Sequence, residues 1–264
     1  MDLETIKNRL DSLTNKTKRE KIDYSKVFFK PTIGKQVIRV VPSKFNPSNP
    51  FTELSFHYGI GKYPMISPTN FGDKDPIVEF AKQLRQSDDQ EDWQLAKKLT
   101  PKTRIFLPVV ERGKEHEGAK LFQFGKQLYE EFLQMAADEE IGDYSDVLSG
   151  RDIKLNTVGP EATGTKYNRT TISPSLKVSK LTDDEDLLNK LLEEQPDPKS
   201  LYQVKSYEDM KKTLQEWIEP EEEEIEETES NGLPEGDIVA DKDTSSKFKQ
   251  TPQNRFEDLF EEED

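Results

Sequence analysis

The chain has 264 residues, of which 34% are charged and 32% hydrophobic, and its formal net charge is −15. It contains no cysteine and two histidines, which excludes disulfides, thiolate zinc sites, cysteine nucleophiles and multi-histidine metal sites. Its apolar runs fall well short of the roughly 18 residues that span a bilayer, so we expect a soluble, intracellular protein.

The first 21 residues predict a basic N-terminal arm. Leu3, Ile6, Leu10 and Leu13 recur at helical spacing. They lead into a stretch at 15–21 that is too polar for a core, and residues 1–21 hold 6 basic and 4 acidic side chains. Such a segment is either a frayed terminus or a clasp to a neighbouring protomer or partner.

Residues 22–218 combine strand and helix patterns. Alternating segments rich in Val and Ile predict strands, and apolar residues at three- and four-residue spacing predict helices. The predicted strands are 36–42, 52–58, 104–111, 119–124, 151–158 and 167–181. The predicted helices are 73–86, 88–99, 126–137, a leucine-rich helix after a capping box at 182–185, and 206–218. Strands with helices inserted between them favour an α+β fold with a barrel-like sheet.

The negative charge is concentrated at the C-terminal end. Residues 219–264 hold 18 acidic and 4 basic side chains, a net charge of −14, which leaves −1 for the rest of the chain. This composition buries too little apolar surface to fold, so we predict a disordered acidic tail. Phe256, Leu259 and Phe260 predict a short partner-docking peptide or a competitor for a basic groove, unless the tail is only solvated.

Basic clusters and aromatic residues occur together in the body of the chain. Residues 96–126 carry a net charge of +5 and residues 151–180 a net charge of +4, while residues 30–44 hold four basic side chains and no acid. Bases stack on aromatic rings, and Lys or Arg pairs with phosphates. The combination favours a groove for single-stranded nucleic acid. The alternatives are a solvated surface for each basic cluster and a core position for each ring, as we expect for Phe124 and Phe132.

The motifs of common enzymes are absent from the sequence. Residues 159–166 approach a phosphate-binding loop, but Thr165 precedes Lys166 in the reverse of the required order, and an extended segment follows instead of a helix. We therefore predict a non-enzymatic protein, with this segment forming a hairpin loop.

Short segments in a fixed order resemble a known family. Residues 36–44, Gln-Val-Ile-Arg-Val-Val-Pro-Ser-Lys, resemble the opening strand of the single-stranded DNA-binding (helix-destabilising) proteins of tailed myoviruses. Further similar segments follow at 56–59, 105–110, 117–120, 122–126, 152–157 and 167–168. The resemblance is clearest over 36–181, and the acidic tail completes the family's three-part layout.

The resemblance implies three parts with separate roles. The arm (1–21) would support cooperative self-association through Lys16, Lys18, Arg19 and Lys21. The core (22–218) would be an oligonucleotide-binding-type β-barrel with a positive cleft. The tail (219–264) would recruit replisome proteins, such as a polymerase, a helicase loader and a recombination mediator, and would compete for the cleft. The protein would then coat single-stranded DNA during phage replication, recombination and repair in the cytoplasm of the infected bacterial host.

The expected DNA contacts come from the resemblance together with the basic segments. Five match the family by position and four lie in the basic clusters. The full set is Arg39, Lys44, Lys102, Arg104, Phe122, Lys126, Lys166, Tyr167 and Arg169.

One departure from the family concerns zinc. His57 matches a zinc-binding histidine, but residues 75–78 stand where paired cysteines would be. We predict that there is no zinc or other cofactor and that His57 is structural, with Ile77, Val78 and Phe80 forming a small apolar cluster.

Two further readings stay open on the sequence alone. An acidic adaptor or DNA mimic that binds basic partners would explain the tail but not the basic clusters. Binding to RNA is also compatible with a basic, aromatic cleft.

Overall fold

The computed structural model describes residues 23–218 together with Phe256, Leu259 and Phe260. The predicted arm at 1–21 and nearly all of the predicted tail lie outside the described residues. Within the described part, none of the helices is long and apolar enough to cross a membrane.

The described chain contains eight strands and seven α-helices. The strands are β1 (Phe28–Phe29), β2 (Gly34–Val40), β3 (Thr52–His57), β4 (Met65–Ile66), β5 (Lys102–Glu111), β6 (Lys120–Phe124), β7 (Arg151–Val158) and β8 (Arg169–Val178). The helices are α1 (Tyr24–Val27), α2 (Pro76–Leu84), α3 (Gln90–Leu99), α4 (Lys126–Ala137), α5 (Pro160–Thr163), α6 (Glu185–Glu193) and α7 (Tyr207–Ile218). Short 3-10 turns occur at Pro68–Phe71 and Glu115–Glu117.

Aspartate side chains cap the starts of α2, α3 and α6. Asp75 accepts hydrogen bonds from the backbone of Ile77 and Val78 at the start of α2, where Pro76 occupies the first turn. Asp89 caps α3 and Asp184 caps α6 in the same way. These caps satisfy backbone N–H groups that have no partner within the helix.

The sheet is antiparallel except at one edge. The hydrogen-bonded order is β1-β6-β5-β2-β7-β8, and β1 pairs with β6 in parallel. One edge of β5 pairs first with β3, through Lys102–Phe106, and then with β2, through Val109–Glu111. The predicted α+β class is therefore confirmed. The oligonucleotide-binding-type barrel stays a prediction.

The two sides of the sheet have different roles. On the inner side, β2, β5 and β7 present Ile38, Leu107 and Ile153 to Phe132 and Met135 of α4 in one apolar cluster. On the outer side, α6 covers Val110, and the segment 201–204 covers Phe106. The outer side is therefore covered in its middle.

A second apolar cluster lies apart from the sheet core, between α2, α3 and α7. Its fully buried members include Phe80, Leu84, Leu95, Met210 and Leu214. We call these three helices and their cluster the helical lobe. Phe80 and Ile77 belong to it, as predicted, whereas Val78 is only half-buried.

Long helices and strands, which repeat their apolar pattern several times, were predicted closely, and two-residue strands were missed. The predicted bounds of α4 and β7 coincide with those observed. The two-residue strands β1 and β4 were missed, because two residues display no periodicity and their pairing comes from distant partners.

Candidate nucleic-acid interface

The first exposed basic surface lies on the outer side of β2, β7 and β8. Lys35 pairs with Asn156, and Lys154 pairs with Val37 and Ser173. Strand alternation places these residues and Arg169 on the same side, and Lys35, Lys154 and Arg169 are all exposed. We call Lys35, Lys154 and Arg169 the sheet patch.

The second basic surface lies where β3 ends and β5 begins. Nε of Arg104 donates a hydrogen bond to the hydroxyl of Tyr58 at 3.1 Å, and the guanidinium lies over the Tyr58 ring, 5.4 Å from its centroid. A cation over a phenol face is attracted by the ring quadrupole, so Arg104 is held in a defined orientation. Lys102, two residues earlier, is exposed.

Lys126 is close to this second surface. A Cβ built on Gly125 would lie 3.3 Å from Nη1 of Arg104, so the glycine leaves room for the guanidinium beside the start of α4. Lys126 is the first residue of α4 and is exposed. Its Nζ lies 3.6 Å from Oε1 of Glu130, one turn along the helix. We call Tyr58, Lys102, Arg104 and Lys126 the hairpin patch.

Strand register relates the sheet patch to part of the hairpin patch. Arg39 of β2 pairs with Val110 of β5, so Lys35 on β2 and Arg104 on β5 share the outer side. The helix α6 and segment 201–204 cover the middle of that side. Exposed cations therefore remain towards the ends of the outer side.

Arg39 is removed from the expected contact set because its side chain is fully buried. Its Nη2 donates to the backbone oxygens of Asp146 and Ser179, at 2.5 and 3.0 Å. Burial, together with the charge of Arg112, lowers the pKa of Arg39. The residue fastens two distant segments to β2 instead of facing solvent.

Phe122 is removed for the same reason. Its ring is 2% exposed and packs edge-on against Phe29 at 5.5 Å. Phe124 and Phe132 are buried as predicted. Tyr63, five residues after Tyr58, has an exposed ring, with 57% of the residue accessible to solvent. Nζ of Lys62 lies over that ring, 5.8 Å from its centroid.

The remaining expected contacts are at or near the surface. Lys44 is exposed, but its Nζ lies 2.9 Å from a carboxylate oxygen of Glu193. Lys166 is exposed and Tyr167 is half-buried in the connection from α5 to β8, within a β7–β8 hairpin as predicted. The predicted self-association residues lie outside the described residues.

His57 and Asp75 form a buried polar pair at the position of the family's zinc segment. Nε2 of His57 lies 2.9 Å from Oδ2 of Asp75, and Nδ1 lies 3.1 Å from the backbone oxygen of Leu99. The hydroxyl of Ser67 donates to the same Asp75 oxygen at 2.5 Å. Burial opposes ionisation of Asp75, but the bonds and charge of His57 and the bond from Ser67 outweigh it and lower the Asp75 pKa.

These residues do not fit a zinc ion. Both ring nitrogens of His57 are within hydrogen-bond distance of protein oxygens, and the chain has no cysteine to supply thiolates. Across the described part of the chain, no group of three or more His, Asp or Glu is placed to hold a metal ion. Absence of zinc stays a prediction.

Sequence reasoning missed Tyr58, Lys35 and Lys154 as candidate contacts. Alternation could have found Lys154, because it lies between two buried residues on the predicted strand 151–158. Lys35 lies one residue before the predicted strand 36–42, and only the observed strand includes it. Tyr58 carried no such signal, since its role depends on Arg104, 46 residues away.

Basic side chains beside tyrosine on one side of a sheet are features of a nucleic-acid-binding protein. Residues 32–219 match the family model described as gp32 DNA binding protein like. This match covers more than half of the chain, which therefore belongs to the gp32-like family of single-stranded DNA-binding proteins. No curated protein matches the chain.

Proposed function

We propose that the protein binds and protects single-stranded DNA cooperatively and without sequence preference during phage replication, recombination and repair. It acts without catalysis, in the cytoplasm of the infected host. The observation that carries this proposal is the pair of outward-facing basic surfaces, one of which holds Arg104 over Tyr58. Cations that neutralise phosphates and rings that stack on bases give affinity without selecting a sequence.

The test is a fluorescence titration of the full chain with labelled poly-dT and a matched duplex, at two salt concentrations. We expect binding to the single strand to be tighter and to weaken with salt, because each neutralised phosphate releases counterions. Equal or absent binding to both ligands would contradict the proposal. Absence of binding to both ligands would favour the acidic adaptor, which a pull-down with the full chain would then test.

We further propose that the acidic tail competes with DNA for the basic surfaces and recruits replisome proteins. Its net charge of −14 is opposite in sign to both surfaces. A full-length variant in which Glu221, Glu222, Glu223 and Glu224 are all changed to Gln should bind poly-dT more tightly at low salt. Unchanged affinity would contradict the competition but not the DNA binding.

A further inference from the structure

The helical lobe holds three side chains from the C-terminal end of the chain. Phe256 is 6% exposed and its ring lies 5.8 Å from that of Phe80 on α2, at a steep angle. Leu259 and Phe260 are half-buried against the same cluster. The backbone is helical at all three positions. We call Phe256, Leu259 and Phe260 the C-terminal motif.

Polar contacts from α7 fix the far side of the motif. Nζ of Lys211 lies over the Phe260 ring, 4.8 Å from its centroid, and 3.4 Å from the Phe260 backbone oxygen. The rings of Phe260 and Phe256 are 4.7 Å apart, and Tyr207 is 6.5 Å from Phe260. Tyr207 is itself fastened to α2, because its hydroxyl donates to Glu79 at 2.7 Å.

The groove that receives the motif is therefore bounded by α2 and α7. Met210 and Leu214 of α7 are fully buried in the same cluster as Phe80 and Leu84. Apolar side chains spaced by three and four residues form one face of a helix, and such a face suits a groove between two helices. The acids beside the motif, Glu257 and Asp258, are opposite in charge to Lys211.

We propose that the groove between α2 and α7 is a peptide-binding site whose occupant is the C-terminal motif of the same chain. The site accepts a short acidic helix with the pattern Phe-x-x-Leu-Phe. If the tail recruits replisome proteins as proposed above, the docked motif is withheld from them, and recruitment requires its release from the groove.

Occupation by the same chain follows from the covalent connection. Residues 219–255 join the end of α7 to the motif, and Trp217 and Ile218 at that end of α7 pack against the same cluster. Docking is then intramolecular, and covalent linkage of two binding partners can raise the effective concentration of one at the other to roughly millimolar values.

The test compares three full-length proteins without DNA: the wild type, the double variant Phe256→Ser/Phe260→Ser, and the control Phe248→Ser. Phe248 is a tail phenylalanine outside the motif. We expect amide hydrogen exchange in α2 and α7 to be about ten-fold or more faster in the double variant than in the wild type. The control should exchange at the wild-type rate.

A labelled peptide with the sequence of residues 251–264 provides the second measurement. It should bind the double variant, whose groove is open, at least about ten-fold more tightly than it binds the wild type, whose groove is occupied. The same peptide with Ser at both phenylalanine positions should not bind. Equal binding of the first peptide to wild type and double variant would overturn the proposal.

Two further measurements separate the other outcomes. Lys211→Ala removes the contact to Phe260 without changing the buried cluster, so it should also speed exchange in α2 and α7, even if the double variant fails to fold. Unchanged exchange in Lys211→Ala and the double variant would overturn the proposal.

Sedimentation of the wild type should show a species whose mass does not depend on concentration. A dimer that the double variant abolishes would show that the occupant is a second copy, which overturns occupation by the same chain. Because no measurement contains DNA, failure here is distinct from failure of DNA binding.

Discussion

Among the proposed DNA contacts, Arg104 is a residue whose side-chain orientation the structure defines. Its orientation is fixed by the hydrogen bond and ring contact with Tyr58. Substitution Arg104→Gln removes one cation and the stacked pair together. We expect poly-dT affinity to fall by about 1–3 kcal/mol and the salt slope to decrease by about 0.7.

The control for Arg104 is Arg85→Gln. Arg85 is an exposed arginine beside α2, hydrogen-bonded to Thr100 in the helical lobe. Its loss should leave the affinity for poly-dT unchanged. Equal effects of the two substitutions would show that overall charge, and not the hairpin patch, determines binding.

The pair His57–Asp75 should contribute to stability in a pH-dependent way. The pKa of Asp75 is lower in the folded protein than its ordinary value of about 3.9, so its contribution is present above that pH. The contribution is lost as the pH falls through the lowered value. Asp75→Asn should therefore flatten the pH dependence of the unfolding free energy below about pH 4.

Urea unfolding followed by circular dichroism between pH 7 and pH 3 measures this difference. Asp73→Asn, which changes an exposed aspartate two residues away, is the matched control. At pH 7, Asp75→Ala should lower the free energy of unfolding by about 3 kcal/mol more than Asp75→Asn does. The alanine also removes the cap of α2 and leaves the buried His57 without its carboxylate partner. A wild-type pH profile for Asp75→Asn would refute the assigned role.

At the scale of elements, the start of α6 allows the helix-capping aspartate to be compared with the aspartate next to it. The sequence predicted a capping box at 182–185, and the structure places the cap at Asp184, which accepts bonds from the backbone of Asp186 and Leu187. Asp184→Ala should lower the free energy of unfolding by about 1 kcal/mol.

The comparison is Asp183→Ala. Asp183 forms only an exposed ion pair with Lys180 at 2.9 Å, which contributes little in water. Thermal unfolding of both variants measures the difference. A larger loss for Asp183→Ala would mean that α6 begins earlier than the structure shows.

The sheet patch depends on the pairing of three strands. Lys35, Lys154 and Arg169 share one side only because β2, β7 and β8 pair in the observed register. The double substitution Lys35→Gln/Lys154→Gln should reduce the salt slope of poly-dT binding by about 1.4, that is, about 0.7 for each cation. An unchanged slope, measured by titration at four salt concentrations, would remove this surface from the proposed interface.

At the scale of the whole molecule, the prediction that zinc is absent can be tested by removing metal ions. Incubation of the full chain with EDTA should leave both its melting temperature and its affinity for poly-dT unchanged, because His57 is engaged by Asp75 and Leu99. A fall in melting temperature that added zinc reverses would contradict the prediction that zinc is absent.

The sequence by itself determined the segregation of charge and most of the helices and strands. Periodicity and capping are local, so the alternation of β7 and the apolar stripe of α4 could be recognised without knowledge of any partner. Membership of the family followed from short segments in a fixed order, and the match over residues 32–219 confirms it.

The tertiary structure alone decided which of these side chains reach the surface. Arg39 and Lys154 both lie on the outer side of predicted strands, yet Arg39 is covered by segments 107 and 140 residues away, whereas Lys154 is exposed. The place of Phe256 in the helical lobe depends on Phe80, which lies even farther away in the chain. The burial of Arg39 and Phe256 is set by such long-range contacts, which the local pattern around each residue does not reveal.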